Sequence, residues 1–267
     1  MTGISAASPA CPDASTADLP GIDIDPRRIA LFLDVDGTLL DIVGRPDQVS
    51  VPTTLVPLLE RTRDRLGGAL ALLSGRALAE LDRLFAPLHL PAGGLHGLQI
   101  RCADGRVSAP QADPALPGVL ARAQAMATTL PGLVIEDKQH TLALHYRLAP
   151  QAAKQVQAQA QRWLEELGAG WTLQHGKAVV ELRPAGRDKG AALAQLMHGK
   201  AFAGRQPVMI GDDLTDEHAF AMATRLGGFG VLVGPARDSS ARFRLTDPAS
   251  VHGWLADLAQ WQQERMA

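Results

Sequence analysis

Between Arg28 and Leu33 the chain becomes an unbroken apolar run with no polar alternation, the pattern of a strand buried on both faces of a parallel sheet. It turns at Asp36-Gly37. Ser50 and Pro52 open an amphipathic helix that reaches about Leu66, Gly67-Gly68 stop it, and Ala69 to Leu73 reads as a second buried strand. Strand, helix and strand in that order form a parallel unit. Ala77 to Leu84 is then predicted as a helix and Gly93 to Arg101 as a strand, with Asp104-Gly105 as a hairpin signal.

From about Ala109 to Arg183 the pattern changes. A helix (Pro114 to Thr129) precedes two strands (Leu133 to Lys138, Thr141 to Arg147), and a helix (Pro150 to Leu167) precedes two more (Trp171 to His175, Ala178 to Arg183). This doubled order predicts a small antiparallel sheet backed by helices. Buried-strand patterning then returns, with a helix from Lys189, a strand Pro207 to Ile210, a helix from Glu217, a strand Phe229 to Val233 and a last helix from Pro248. The expected fold is α/β: a core of residues 26–108 and 184–267 with a parallel sheet between helices, and a smaller α+β cap inserted at 109–183. Residues 1–25 lack periodicity and read as a loose tail.

Composition narrows the partners. Across 267 residues, 46% are hydrophobic and 20% charged, as in ordinary globular proteins. The formal net charge is −2 with a pI near 6.4, so there is no basic surplus for nucleic acid or anionic lipid. No segment approaches the ~20 apolar residues of a membrane span, and the start lacks a basic, then apolar, leader. The expected partner is a small molecule and the expected address the cytoplasm. Cys11 and Cys102 alone do not make a disulfide framework or thiolate site.

Candidate chemistry gathers where predicted strands end, which is where open parallel sheets bind ligands. Asp34-Val35-Asp36-Gly37-Thr38 follows the first buried strand, and Gly37 permits the turn that brings both acids toward one site. Thr38 capping a solvated turn is the plainer alternative. Ser74-Gly75-Arg76 ends the second strand before a helix, where the Ser74 hydroxyl and Gly75 amide suit phosphoryl oxygens, although Ser-Gly there also serves as an N-cap. Lys189, after Asp188, opens a helix whose dipole favours anions, a placement that an anionic ligand would repair, with a solvated lysine as the competing account. Asp212, Asp213, Asp216 and Glu217 put four acids in six residues after the strand Pro207 to Ile210, where helix capping is the competing role. Collected with Asp34 and Asp36, these carboxylates repel one another, and a hard divalent cation such as Mg2+ relieves that repulsion.

DVDGT at 34–38, the Ser of SGR, the Lys of DKG and the acids of GDDLTDE resemble the four motifs of haloacid-dehalogenase-type phosphatases. GLHG at 94–97, EDKQHTLALHYR at 136–147, GKAVVELRP at 176–184 and GDDLTDEHAF at 211–220 resemble, within that superfamily, the trehalose-6-phosphate phosphatases over about residues 28–260. The resemblance implies a Rossmann-like core with a C2-type cap, a Mg2+ cofactor and hydrolysis of trehalose 6-phosphate, the last step of trehalose biosynthesis. Trehalose-phosphate synthase of the same pathway is an implied partner. It further implies Asp34 as the nucleophile that forms an aspartyl-phosphate and Asp36 as the acid that protonates the leaving oxygen and then activates water. Ser74 and Lys189, with Gly75 and Arg76, are implied to hold phosphate. Asp34, the carbonyl of Asp36 and Asp212 are implied metal ligands, supported by Asp213 and Asp216.

In the cap, Glu136, Lys138, Arg147, Lys177 and Glu181 resemble the family's sugar-binding positions, and charged side chains hydrogen-bond hydroxyls strongly. Cross-strand ion pairing on an exposed face is the competing account. His96, His140 and His145 are expected to make structural hydrogen bonds. Gln99 departs from relatives that carry an acid after GxHG, which puts a supporting contact in doubt. Sister phosphatases for sucrose phosphate or mannosyl-phosphoglycerate are the nearest rivals. A non-catalytic phospho-aspartate signalling module is the rival of another class, though receivers keep the phosphorylated Asp on a later strand.

Overall fold

A computed structural model describes residues 25–42, 49–109, 111, 113–138, 140–176 and 178–261. The predicted tail therefore lies outside the described residues except for Asp25. Two compact units are present: Met1–Ser108 with Asp188–Ala267, and Ala109–Arg187. The second runs past the expected boundary at 183 because its last strand continues to Pro184 and the Arg183 guanidinium donates to the carbonyl of Arg187.

The first unit begins with strand β1 (Ile29–Leu33), helix α1 (Leu55–Arg65), β2 (Leu70–Leu73), α2 (Leu78–Leu84), β3 (Ala92–Gly94), β4 (Gln99–Arg101) and β5 (Val107–Ser108). The second holds α3 (Leu116–Thr129), β6 (Val134–Asp137), β7 (Leu142–His145), α4 (Ala153–Leu167), β8 (Trp171–Gly176) and β9 (Val179–Pro184). The first resumes with α5 (Lys189–Met197), β10 (Gln206–Gly211), α6 (Glu217–Arg225), β11 (Phe229–Val233), β12 (Phe243–Leu245) and α7 (Pro248–Gln260).

The larger sheet has the order β12-β11-β10-β1-β2-β3-β4-β5, parallel from β12 through β3 and antiparallel for β4 and β5. Every residue of β1, β2 and β11 is buried, which requires cover on both faces. Helices supply it in packed pairs, α1 with α7 and α5 with α6. α1 buries Leu55, Leu58, Leu59 and Thr62, and α7 buries Val251, Trp254, Leu255 and Leu258, each an i, i+3, i+4, i+7 stripe. The chain leaves β1 toward β2 on one side, and β10 arrives on the other, so the direction of strand progression reverses at β1. A crevice opens at the carboxyl ends of strands flanking such a switch point.

Two local predictions need correcting. The stretch from Gly93 to Arg101 is not one strand: the chain reverses at Leu95–Gly97, and Gly93 pairs with Ile100. Leu95, His96 and Gly97 all take positive φ (49°, 54° and 95°), and the turn is docked by hydrogen bonds from Leu95 N to Arg76 O and from His96 N to Ser74 O, both 2.9 Å. Those long-range bonds offset the backbone strain of two non-glycine residues, and local pattern carries no trace of them. The edge strand β12 was also unforeseen, its three residues being too short for periodicity.

The second unit is a four-stranded antiparallel sheet in the order β6-β7-β9-β8. Its core joins Leu142, Leu144, Val180 and Leu182 of the inner strands to Val119, Ala123, Val156, Ala160 and Trp163 of α3 and α4. Alternation leaves a row running Glu136, Ala143, Glu181, Gln174 on the other face.

Candidate active site

The ends of β1, β2 and β10 deliver the chemistry of the first unit. Asp34 leaves β1 buried, its backbone still hydrogen-bonded to Ile210 O of β10. The Nζ of Lys189, from the first turn of α5, lies 2.6 Å from Asp34 Oδ1 and 2.6 Å from Asp216 Oδ1. Asp188 caps α5 by accepting from Ala191 N at 2.8 Å, so the carboxylate that complements the helix end is local, and the ammonium of Lys189 is turned to the sheet edge. Thr38 is fully buried with Oγ1 3.2 Å from Asp212 Oδ1 and 3.4 Å from Asp34 Oδ2.

Asp34, Asp212 and Asp216 each present a carboxylate oxygen within 4.8 Å of the others. Three carboxylates against the one ammonium of Lys189 leave a formal charge of −2. Burial and the neighbouring Asp216 push Asp212 up to about 6. Asp34 is raised by its burial, against the pull of Lys189. Burial opposes the charge of Lys189, but Asp216 and Asp34 outweigh it and hold the ammonium protonated. An all-oxygen donor set whose full ionisation burial and mutual repulsion oppose fits a hard divalent cation. Gly37 and Gly211 make the approach of these acids feasible. A Cβ on Gly37, at φ +86°, would overlap the Asp212 carboxylate, and one on Gly211 would overlap the Asp216 side chain.

The side chains of Asp36 and Asp213 are not part of this group of three. Asp213 is exposed at the N-cap of the short turn Leu214–Asp216, and its amide donates to Asp216 Oδ2 at 3.0 Å. The Asp36 carboxylate is taken by Arg76, whose Nε and Nη2 each reach an oxygen at 2.7 Å. Arg76 is correspondingly buried, an ion-pair partner where a substrate contact was expected.

Ser74 is fully buried at the end of β2, its Oγ accepting from Arg76 N at 3.1 Å. The helix that follows does not offer its first amides to a ligand: Ala77 N donates to Glu80 Oε2 and Leu78 N to Gln99 Oε1, at 3.2 and 3.0 Å. Gln99 thus makes a supporting contact to this helix start through its amide oxygen. Gly75 lies against the His96 ring, since a Cβ there would come within 2.7 Å of Nε2.

Within the second unit, Glu181 is buried on β9, with Thr141 Oγ1 donating to its Oε1 at 2.6 Å and Lys138 Nζ 3.7 Å from Oε2. Glu136 lies 2.9 Å from His145 Nε2 and 3.8 Å from Lys138 Nζ, and the His145 contact leads in holding its carboxyl below the usual range. Glu136, Lys138 and Glu181 therefore form one polar cluster. Arg147, just beyond β7, is exposed, and Lys177 lies outside the described residues. The Nδ1 of His140 is buried with no hydrogen-bond partner among the described residues, while its backbone N donates to Lys138 O at 2.9 Å.

Arg237 was not anticipated. It lies in the loop after β11 and donates from Nη2 to the carbonyls of Asp212 and Asp213 at 3.3 and 3.0 Å. Nothing in the sequence around GPARDSS marks it, because its partners are backbone atoms 25 and 24 positions earlier.

Among the described residues no helix is long and apolar enough to cross a membrane. A probable trehalose-phosphate phosphatase of Sinorhizobium fredii is 41% identical over 90% of this chain and 91% of its own. Trehalose-6-phosphate phosphatase of Escherichia coli is 39% identical over 89% of each chain. The solved C-terminal domain of the Candida albicans trehalose-6-phosphate phosphatase superposes with a TM-score of 0.79 at 23% identity, over 93% of this chain and 98% of that one, a likeness of fold. The trehalose-phosphatase family model matches residues 32–249, a span that starts at the strand carrying Asp34 and takes in Ser74, Lys189 and the Asp212–Asp216 loop. A switch-point site built from those four segments, and a match that runs through all of them, make this chain a member of the trehalose-phosphatase family.

Proposed function

We propose that this protein hydrolyses trehalose 6-phosphate to trehalose and phosphate, with Asp34 as nucleophile. The observation that carries the reading is the placement of Asp34: at the carboxyl end of β1, 2.6 Å from a buried lysine and grouped with two further carboxylates. Asp34, Asp212 and Asp216 would hold Mg2+, with the carbonyl of Asp36 as a further ligand and Asp213 supporting the metal's waters. A bound Mg2+ supplies charge neutralisation of phosphoryl oxygens next to the carboxylate that attacks them.

Asp34 attacks phosphorus in line, the bond from phosphorus to the sugar oxygen breaks, and the carboxyl of Asp36 gives its proton to that oxygen. Water then attacks phosphorus of the aspartyl-phosphate while Asp36 takes its proton, which releases phosphate and restores Asp34. Lys189 and the Ser74 hydroxyl hold the phosphoryl oxygens, with the Gly75 amide beside them. The polar cluster of Glu136, Lys138 and Glu181, with Arg147 and Lys177, is the assigned recognition surface for sugar hydroxyls, which makes the second unit the substrate-selecting cap. A cytoplasmic address and a supply of substrate by trehalose-phosphate synthase belong to the same reading.

Phosphate release from a panel of sugar phosphates, with and without Mg2+, tests substrate and cofactor together. Trehalose 6-phosphate should lead sucrose phosphate and mannosyl-phosphoglycerate, and chelation should abolish turnover. Acid quenching during turnover should trap labelled phosphate on the wild type and none on Asp34→Asn. Label retained on that variant would remove Asp34 from its role.

A further inference from the structure

The loop that carries Asp212 leaves the sheet at Gly211, where the last register pair with β11 is made. Beyond it, three carboxylates that repel one another must be kept in range. Thr38 reaches the Asp212 side chain, but the backbone is held from a different direction. Arg237 Nη2 donates to both Asp212 O and Asp213 O, and Asp213 O also accepts from Asp216 N at 3.1 Å. The other arm of the guanidinium, Nη1, donates to Glu217 Oε1.

Glu217 belongs to the acidic segment by sequence, yet its carboxylate faces away from the cluster. It accepts from Arg237, from Ser239 Oγ at 2.8 Å and from Ser240 N at 2.7 Å. The segment between β11 and β12 that carries Arg237 is itself closed by Arg244, which donates to Gly234 O at 2.7 Å. Arg237 and Glu217 are about three-quarters buried (26% and 22% of the side chain exposed), which favours a defined geometry over a solvent-screened pair.

We infer that Arg237, oriented by Glu217, is a positioning residue that holds the Asp212–Asp213 backbone so that Asp212 meets Asp34 and Asp216 at the cation site. The inference rests on the reading of those three acids as a magnesium site. A guanidinium is required because one planar group must serve a carboxylate and two carbonyls at once, which an ammonium on a flexible stem does not do.

Isothermal titration of the full chain with Mg2+ reads the effect directly. Arg237→Met should weaken Mg2+ binding about 10–100-fold, the usual loss when a group that orients metal ligands is removed, and Arg237→Lys should recover little of it. Saturating Mg2+ should return most of the turnover number. Since Arg237→Met removes the cation paired with the Glu217 carboxylate, the double variant Arg237→Met/Glu217→Gln is measured beside it, with melting in chelator as the measure of folding. The double variant should keep the weakened Mg2+ binding. Wild-type affinity in either variant overturns the inference, whereas a wild type that binds no Mg2+ overturns the magnesium reading and the inference with it.

Discussion

Arg76 grips Asp36 through two parallel N–H···O bonds, Nε to Oδ2 and Nη2 to Oδ1, both 2.7 Å. The two residues are 40 positions apart, at the ends of neighbouring parallel strands. A two-point contact fixes direction as well as distance, so the carboxylate proposed to shuttle the proton starts from one orientation.

Removing that grip should therefore show in turnover. Arg76→Ala is expected to lower kcat on trehalose 6-phosphate by roughly 10²-fold, as misplacement of a reacting group does, with little change in KM. Arg76→Lys should not restore it, because the fork is lost. Steady-state kinetics checks this. A raised KM with unchanged kcat would return Arg76 to substrate binding.

Lys189 bridges two carboxylates in the interior, and both are left uncompensated when it goes. Lys189→Met should lose about 3–5 kcal/mol of stability in the metal-free protein, the cost of breaking a buried pair from one side. Turnover with Mg2+ should fall roughly 10²–10³-fold. Urea unfolding in chelator and phosphate release measure the two losses separately.

Asp212 gives the metal-free protein a defined pH response. Its folded value, about 6, lies above the ordinary 3.8, so the folded state binds the proton more tightly than the unfolded chain does. Its contribution to stability therefore grows as pH falls from about 6 toward 4 and is lost as pH rises through about 6. In chelator at about pH 7.5, Asp212→Asn should melt higher than the wild type, and the gap should narrow at about pH 5. Mg2+ should raise the wild-type melting temperature at the higher pH and much less at the lower one, where protons compete for the same oxygens. Calorimetric scans of both proteins decide it; a gap that widens on acidification contradicts the assignment.

Gly37 sits at φ +86° with no room for a Cβ beside Asp212. Gly37→Ala should cost about 1–3 kcal/mol for the backbone strain and displace the Asp212 carboxylate. Mg2+ titration and denaturant melts report both effects, and intact Mg2+ affinity would show that the loop yields without moving the acid.

Glu181 is satisfied by Thr141 and Lys138 on the polar face of the smaller sheet. If that face reads sugar hydroxyls, Glu181→Ala should lower kcat/KM for trehalose 6-phosphate roughly 10–100-fold, the worth of a charged hydrogen bond, while sparing a generic aryl phosphate. Equal losses on both substrates would assign Glu181 to holding the sheet together.

Periodicity alone determined the parallel unit around β1 and β2, the doubled helix-strand-strand segment and the return to buried strands, because burial on two faces or one leaves its mark on every residue of an element. The acids at 34 and 212, Ser74 and Lys189 were legible for a related reason: each ends a strand or starts a helix, and those positions are set by local pattern. What folding decided were the pairings across long separations. That Arg76 serves Asp36, that Asp216 and not Asp213 joins the acidic group, that Leu95–Gly97 reverses the chain and that Arg237 holds two carbonyls all depend on atoms brought together by strand order and helix packing. Such contacts are made side chain to side chain or to backbone, between segments whose sequences carry no record of one another.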